Sequence, residues 1–406
     1  MKYNPFKPGS IVHPGMFAGR LDEIHTIEKL FYQTKNNNSS SFTVTGDRGI
    51  GKSSLLLYLK LIASGQIDTY DEVKFNFVVV NISLEPNDNY EEVIFKIARE
   101  LYREIAKNSK VMTALKDIWE FVSNWEVLGV KYNKDKKELP ANILLEELCE
   151  KMTSILQKAK SDSDGIYIFI DESDKPTKNP ELGTLVKTMM ERLQKNCINN
   201  VGFGIFGLPI ISEKIKSSHE SAIRLFTNVP LKQLTKEDSN IVIDLGVKEA
   251  NSKNEIKISF DDDAREYIAK FSEGYPHFIQ QYAYSAFDVN NDEVVDLKDL
   301  LKGLVDENGA LHQLGERYFD KMYFKEIFSP KYRKILGVIA ESEDEYIAKR
   351  QIIDKSGLSE SIVTNALNVC TRKGLLVKKK GSKGSYKISS LSFKVWISTL
   401  KNVDSK

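Results

Sequence analysis

Hydrophobic and polar positions follow two different patterns along the first 232 residues. Short apolar runs, typical of buried strands, are separated by stretches in which apolar residues recur every three or four positions, as in amphipathic helices. Strands that alternate with helices predict a parallel sheet covered by helices on both faces. The predicted strands are Ser41–Thr45, Phe77–Ser83, Ile166–Ile170, Val201–Phe206 and Asn228–Leu231.

A long helical stretch interrupts this alternation between the second and third strands. It covers about residues 90–160 and contains a charged break, Lys131–Glu138, that ends at Pro140. From about residue 233 to 310 the periodicity is helical, as in Asp262–Phe271 and His277–Phe287. We therefore predict an α/β core over residues 1–232, with a helical insert at about 90–160, followed by a smaller helical domain over residues 233–328.

The last part of the chain, residues 329–406, has the pattern of three helices followed by a hairpin. Ser359 is a suitable N-cap for the third helix, and Gly374 ends it. This order predicts a winged-helix domain. The helices are predicted at Tyr332–Ala340, Ala348–Ser356 and 360–373, and the two strands at Leu375–Lys380 and Ser385–Ser389.

Composition narrows the class of protein. Of the 406 residues, 41% are hydrophobic and 28% are charged, which is typical of a globular chain. The formal net charge of +1 excludes a wholly basic nucleic-acid coat protein. The three cysteines are far apart in sequence and support neither a disulfide framework nor a zinc knuckle. With no apolar run long enough for a signal peptide or a membrane span, we expect a cytoplasmic protein with no membrane partner.

The strongest motif is Gly-Asp-Arg-Gly-Ile-Gly-Lys-Ser at residues 46–53, which fits the P-loop pattern GxxxxGK[ST]. In that motif, glycine backbone N–H groups surround the phosphates and the lysine reaches the β and γ oxygens. The hydroxyl ligates Mg²⁺, and the following helix directs its positive end at the phosphates. The predicted binding residues for ATP or ADP are Gly46, Asp47, Arg48, Gly49, Ile50, Gly51, Lys52, Ser53 and Ser54.

A second motif follows the third predicted strand, in Ile-Tyr-Ile-Phe-Ile-Asp-Glu-Ser-Asp at residues 166–174. Acidic residues after an apolar strand are common, but here a P-loop precedes them. In this setting Asp171 is predicted to hold Mg²⁺ together with Ser53. Glu172 is predicted to polarise the attacking water.

The segment Phe17-Ala18-Gly19-Arg20, followed by Asp22-Glu23, resembles the F-x-G-R-x-x-E segment that precedes the P-loop in AAA+ and STAND-type ATPases. The nearest resemblance is to the archaeal and bacterial ATPases related to replication initiators. It covers roughly residues 4–290, and a winged-helix tail is usual in that group. The resemblance implies an AAA+-like core built on a parallel sheet. It also implies that residues 233–328 form a helical lid.

The resemblance also implies contacts with the adenine base. Phe17 and Ala18 occupy positions that lie over the adenine in the family. Gly274-Tyr275-Pro276-His277 looks like the GxP lid motif of the STAND branch, in which the proline packs on the base. A proline that simply begins a helix is the alternative for Pro276. His277 could contact a phosphate, or be a partly buried histidine with an ordinary structural partner.

Arg224 falls where the family often has an arginine that acts on the γ-phosphate, in the same subunit or in a neighbouring one of a nucleotide-dependent homo-oligomer. A surface arginine paired with a carboxylate explains it equally well. At the end of the fourth predicted strand the chain has Gly207 where the family usually has a polar sensor, and the lid has no clear sensor arginine. Both departures favour slow hydrolysis or a switch over fast, ring-driven turnover.

The C-terminal segment separates charge. Residues 370–394 contain eight basic residues and no acidic ones. This segregation predicts contacts with the phosphates of duplex DNA, through Arg372, Lys378, Lys379, Lys380 and Lys383. A solvated wing that docks a protein is the alternative.

Together these features predict a Mg²⁺-dependent ATPase that acts as a conformational switch associated with DNA. The alternative is a signalling or antiviral-defence module whose winged helix and insert dock a separate sensor or effector protein. A nucleotide-binding scaffold with negligible turnover is a third hypothesis.

Overall fold

The computed structural model describes residues 2–11, 17–69, 71–107, 141–158, 162–379, 381 and 384–404. The chain divides into two compact units. One unit contains residues 11–232, and the other contains residues 233–406 together with residues 1–10. The first ten residues therefore differ from the predicted division, which placed them in the core. The predicted border between lid and winged helix at residue 329 does not separate two units here and stays a prediction.

The described part of residues 11–232 forms a five-stranded parallel sheet in the order β2-β3-β4-β1-β5. This confirms the predicted α/β sheet. The strands are β1 Ser41–Thr45, β2 Phe77–Ser83, β3 Gly165–Asp171, β4 Val201–Gly207 and β5 Phe226–Pro230. The helices are α1 Leu21–Lys35, α2 Lys52–Ala63, α3 Tyr90–Lys107, α4 Ala141–Lys158, α5 Leu182–Lys195 and α6 Ile211–Ser218, with a 3₁₀ turn at Glu220–Leu225.

Two chemically different cores hold the sheet. On one face an aromatic cluster centres on Phe31 of α1, whose ring centroid is 4.6 Å from that of Tyr167. Gly204 of β4 makes room for this cluster, since a Cβ there would lie 2.7 Å from ring atoms of both Phe42 and Phe169. On the other face, aliphatic side chains of β2, β3 and β4 pack against α3, α4 and α5. The apolar strands are thus buried on both faces, as parallel sheets require.

The predicted insert begins and ends as helix. α3 and α4 bury the apolar stripes that their periodicity predicted. The charged break at Lys131–Glu138 and Pro140 lies outside the described residues.

The second unit begins with a bundle of short helices. Its first ten residues belong to this bundle: the Phe6 ring is buried against Phe260 and Phe287, and Lys2 donates to the Phe287 carbonyl oxygen at 2.7 Å. The elements are α7 Lys236–Lys253, β6 Ser259–Phe260, α8 Asp262–Ser272, α9 Pro276–Val289, β7 Val294–Val295, α10 Leu297–Val305 and α11 Ala310–Leu314, followed by π-helical turns at Gly315–Phe319 and Lys321–Glu326.

The described residues of the C-terminal part form four helices and a small sheet in the order β8-β10-β9, with antiparallel pairing. On α14 the side chains of Val363, Ala366, Leu367 and Cys370 are buried, and that of Ile362 is half-buried. The helix α15 packs through Trp396 on aromatic side chains of the π-helical turns. The elements are α12 Pro330–Ala340, β8 Ile347–Ala348, α13 Lys349–Ser356, α14 Glu360–Arg372, β9 Leu376–Lys378, β10 Ser385–Ile388 and α15 Leu391–Asp404.

Among the described helices, none combines the length and the apolar character that crossing a bilayer requires.

Candidate nucleotide-binding site

The loop between β1 and α2 has the backbone that an anion site needs. Gly49 and Gly51 adopt φ values of 79° and 99°, which favour glycine because a Cβ would be strained there. Gly46 is needed for space, since a Cβ would lie 2.9 Å from Cγ2 of Ile50. Gly51 directly precedes the first residue of α2, so the free N–H groups and the positive end of the helix meet the loop. Asp47 and Arg48 are exposed at its outer edge, and Ser54 is half-buried in the first turn of α2.

Lys52 is held by its own loop. Its Nζ donates to the carbonyl oxygens of Gly46 at 2.8 Å and of Asp47 at 2.9 Å. Burial lowers the pKa of Lys52, and four nearby carboxylates, of which Asp174 acts most strongly, oppose that decrease. The ammonium group is therefore fixed at the loop, in a position to make charge-assisted hydrogen bonds to a phosphate bound there.

Ser53 and Asp171 meet across α2 and β3. The Ser53 hydroxyl lies 3.5 Å from Oδ2 of Asp171, the last residue of β3. Burial is the main cause that raises the pKa of Asp171, so its carboxylate lacks the solvation that favours the charged form. Mg²⁺ takes one or two oxygens from a protein and completes its shell with phosphate and water oxygens. A hydroxyl and a half-buried carboxylate beside a P-loop lysine fit that requirement.

Glu172 begins the loop after β3 in a left-handed conformation, with φ of 54°. Its carboxylate is 41% exposed and lies 3.4 Å from the Lys175 ammonium group. Exposed pairs of this kind contribute little stability, so the carboxylate can leave its partner at small cost. The structure therefore places Glu172 beside Asp171 with a side chain able to reach solvent water.

Arg20 connects the Phe17–Glu23 segment to the P-loop. Its buried guanidinium donates to the carbonyl oxygen of Ile50 at 3.1 Å and pairs with Glu23 at 3.4 Å. The Phe17 ring stacks on Tyr58 of α2, with centroids 5.3 Å apart. Ala18, the residue after Phe17, is half-buried. These contacts give the F-x-G-R-x-x-E pattern a physical role, because its arginine attaches the segment to the phosphate loop and its glutamate pairs with that arginine.

The sequence interpretation did not assign Asp174. Its Oδ1 accepts a hydrogen bond from the Leu208 N–H at 2.9 Å, just after β4 ends. The spacing Asp-Glu-x-Asp after an apolar strand was visible, but the position of the third carboxylate depends on the turn that follows Glu172.

Two predicted nucleotide contacts belong to other elements of the chain. Arg224 is exposed on the 3₁₀ turn before β5. Pro276 is the first residue of α9, in the other unit, as expected of a proline that begins a helix. The roles of both at the nucleotide stay predictions.

The basic C-terminal segment is less positive in three dimensions than along the chain. Lys387 pairs with Glu345 at 2.6 Å, and Lys373 lies 3.5 Å from Glu326. Arg372, Lys378 and Lys379 are exposed, whereas Lys380 and Lys383 lie outside the described residues.

Part of this chain matches a known family model, and its fold is similar to solved structures. Residues 16–198 match the family model described as AAA ATPase domain. No curated protein sequence matches the chain significantly. Two structures of the Aeropyrum pernix ORC2 protein are similar in fold. The ADPNP-ADP complexes have a TM-score of 0.56 at 14% identity, covering 98% of this chain and 98% of that chain. The ADP form has a TM-score of 0.51 at 13% identity, covering 99% and 97%.

The family match includes the P-loop, Ser53 and the acidic residues after β3, and the structural match extends over nearly the whole chain. Both agree with the resemblance inferred from the motifs. Residues 16–198 therefore match an AAA ATPase domain that contains the P-loop, and the chain has a fold similar to that of the Aeropyrum pernix ORC2 protein.

Proposed function

We propose that this protein binds ATP with Mg²⁺, hydrolyses it slowly, and uses its nucleotide state as a conformational switch. The observation that carries the proposal is the position of Lys52, whose Nζ is fixed by two P-loop carbonyl oxygens at the N-terminus of α2. A cation fixed at a helix N-terminus is suited to a polyphosphate. The similar Aeropyrum pernix ORC2 protein has been solved as ADPNP-ADP complexes.

Each group near the P-loop has a distinct proposed role. Lys52 would bind the β and γ phosphates, while Ser53 and Asp171 would hold Mg²⁺, which supplies charge neutralisation at the phosphates. Glu172 would release Lys175 and orient the attacking water. The P-loop glycines and Ser54 would provide backbone N–H groups to the phosphates.

The remaining predicted contacts complete the nucleotide site in this proposal. Phe17 and Ala18 would border the adenine, at the end of the segment that Arg20 attaches to the P-loop. Pro276 would cover the base from the lid, and Arg224 would act on the γ-phosphate in cis or in trans.

Calorimetry with MgATP tests the binding step. Lys52→Ala removes the positive partner of the phosphates, so the affinity for ATP is expected to fall by about tenfold or more, roughly 1.4 kcal/mol. Lys29→Ala is the matched control, because it removes an exposed lysine of α1. Equal ATP affinity in wild type and Lys52→Ala would refute the assignment of the site.

We further propose that residues 329–406 form a winged-helix domain that associates with duplex DNA. The support is the segregation of basic residues in 370–394, with Arg372, Lys378 and Lys379 exposed. The proposed contact set also includes Lys380 and Lys383. The ion pairs of Lys373 and Lys387 favour a second candidate, in which this domain docks a protein, because they reduce the positive charge available to phosphates.

The salt dependence of DNA binding separates the two candidates. Replacing Lys378 and Lys379 with Ala should weaken binding equally on unrelated duplexes. It should also flatten the slope of log K against log salt by about 0.9 for each DNA phosphate that the variant no longer neutralises. Lys298→Ala with Lys302→Ala is the control, since both lysines are exposed on α10 of the same unit. A wild-type slope near zero with ADP and with a non-hydrolysable ATP analogue would exclude the DNA candidate and favour protein docking.

A further inference from the structure

The carboxyl end of β4 lacks a side chain of its own. The strand ends at Gly207, and a Cβ built there would lie 3.0 Å from Oδ1 of Asp174 and 3.4 Å from its backbone nitrogen. The φ of Gly207 is not in the left-handed region, so the backbone itself does not require glycine. The carboxylate of Asp174 therefore occupies the space beside the strand end that a larger residue at position 207 would need.

Asp174 and its neighbours attach the loop after β3 to β4 and α6. Oδ1 of Asp174 accepts from the Leu208 N–H at 2.9 Å, and the Ser173 N–H donates to the Phe206 carbonyl oxygen at 3.0 Å. The backbone oxygen of Asp174 accepts from Nζ of Lys214 on α6 at 2.8 Å. Hydrogen bonds to β4, to the residue that follows it and to α6 thus set the distance between the ends of β3 and β4.

The loop that carries Asp174 also carries the proposed hydrolysis residues. Asp174 follows Asp171 by three residues and Glu172 by two, so its loop also carries the proposed Mg²⁺ ligand and the proposed water-orienting group. Among the carboxylates that counteract the effect of burial on the pKa of Lys52, Asp174 has the largest influence. A displacement of Asp174 would therefore move the groups on which hydrolysis depends.

We propose that Asp174 is a positioning residue for ATP hydrolysis. Its carboxylate oxygen holds the carboxyl end of β4 against the β3 loop. This inference rests on the proposed hydrolysis of ATP. It attributes the influence of Asp174 on hydrolysis to the hydrogen bond with the Leu208 N–H. An amide side chain at position 174 should therefore support hydrolysis nearly as well as a carboxylate, whereas a methyl group should not support it.

Steady-state kinetics and calorimetry on the full chain test this role. Asp174→Ala should lower kcat by about tenfold or more while the ATP affinity changes little, because the phosphate loop keeps its contacts. Asp174→Asn should retain kcat close to wild type, since its amide oxygen can accept from the Leu208 N–H. Hydrogen exchange of the Leu208 amide should accelerate in Asp174→Ala and not in Asp174→Asn.

Gly207→Ala supplies an independent perturbation, because the added Cβ would lie 3.0 Å from Oδ1 of Asp174 and the carboxylate must shift by a few tenths of an ångström. It should lower kcat in the wild-type background and cause little further loss in Asp174→Ala, so the double-mutant cycle should be non-additive. If Asp174→Ala does not fold, the other two variants carry the test. Gly207→Ala should then have a low kcat, and Asp174→Asn should have a kcat close to that of wild type.

The experiments distinguish failure of the positioning role from failure of the proposed function. Turnover by wild type with undiminished kcat in both Asp174→Ala and Gly207→Ala would overturn the positioning role and leave the proposed function intact. A loss of kcat in Asp174→Asn equal to that in Asp174→Ala would also overturn it, since charge and not hydrogen bonding would then be required. Wild-type turnover equal to that of Lys52→Ala would overturn the proposed function, and the positioning role with it.

Discussion

His277 should make the stability of the C-terminal unit depend on pH. Nδ1 of its imidazole accepts a hydrogen bond from the Gly9 N–H at 3.2 Å. Its Nε2 is buried with no hydrogen-bond partner among the described residues, and the ring lies 4.8 Å from that of Tyr318. Burial, helped by the positive charge of Arg317, lowers the pKa of His277 from 6.5 to about 4. The folded unit therefore holds this histidine neutral.

The direction and size of the effect follow from linkage. Above pH 6.5 the imidazole is neutral in both the folded and the unfolded chain, so it adds no slope. Below pH 6.5 the unfolded chain binds a proton that the folded unit does not, and the free energy of unfolding decreases as the pH falls towards 4. The interval from 6.5 to about 4 corresponds to about 3 kcal/mol, since each pH unit for one proton is worth about 1.4 kcal/mol.

Urea unfolding at several pH values measures the free energy of unfolding. Monitoring it by hydrogen exchange of the α9 amides restricts the measurement to the unit that contains His277. His277→Asn is the informative variant, because its amide oxygen can accept from the Gly9 N–H but does not titrate. Carboxylates also titrate in this range, so the relevant quantity is the difference between wild type and His277→Asn. His312→Asn, at an exposed histidine of α11, is the matched control. If wild type and His277→Asn lose equal stability between pH 7 and 4.5, the reasoning about His277 is wrong.

The remaining predictions concern the nucleotide site. Glu172→Gln keeps the shape of the side chain and removes its charge, so calorimetry should detect normal ATP binding while turnover falls by about 10²; turnover close to wild type would place the base elsewhere. Arg20→Lys keeps a positive charge but loses the planar guanidinium that reaches both Ile50 and Glu23, so the affinity for ATP should decrease. Arg103→Lys, at an exposed arginine of α3, should leave that affinity unchanged, and equal affinities in the two variants would argue against a role for Arg20.

The sheet could be predicted almost completely from hydrophobic patterning because its strands are buried on both faces. β1, β2 and β4 begin at the predicted residue, and β3 begins one residue earlier, since turn residues directly precede their apolar runs. β5 is the exception. It was predicted at Asn228–Leu231 and lies at Phe226–Pro230, because Thr227 and Asn228 are exposed at the sheet edge and interrupt the apolar run that marks a strand.

The P-loop residues were predictable for a different reason. Their spacing is dictated by local backbone geometry, which Gly49 and Gly51 make visible in sequence. Asp174 and Arg20 were harder to interpret, because their partners Leu208 and Ile50 are 34 and 30 residues away. No local period encodes such a contact.

The segregation of basic residues along the sequence was the poorest guide to the charge of the folded surface. The segment 370–394 has no acidic residue of its own, yet Glu326 and Glu345 from earlier in the chain pair with Lys373 and Lys387. A run of like charges in sequence states nothing about the charges that tertiary structure brings beside it. The position of the first ten residues failed to follow from sequence for the same reason, since Lys2 contacts Phe287, 285 residues away.

The membership of those ten residues has a consequence for how the protein can be dissected. The α/β unit is an insertion within the C-terminal unit, joined to it by two covalent connections, at residues 10–11 and 232–233. A fragment that starts at residue 233 would lose Phe6 and leave its site beside Phe260, Phe287 and Gly246 open to water. A fragment of this unit would therefore need residues 1–10 as well as residues 233–406 to keep that site filled.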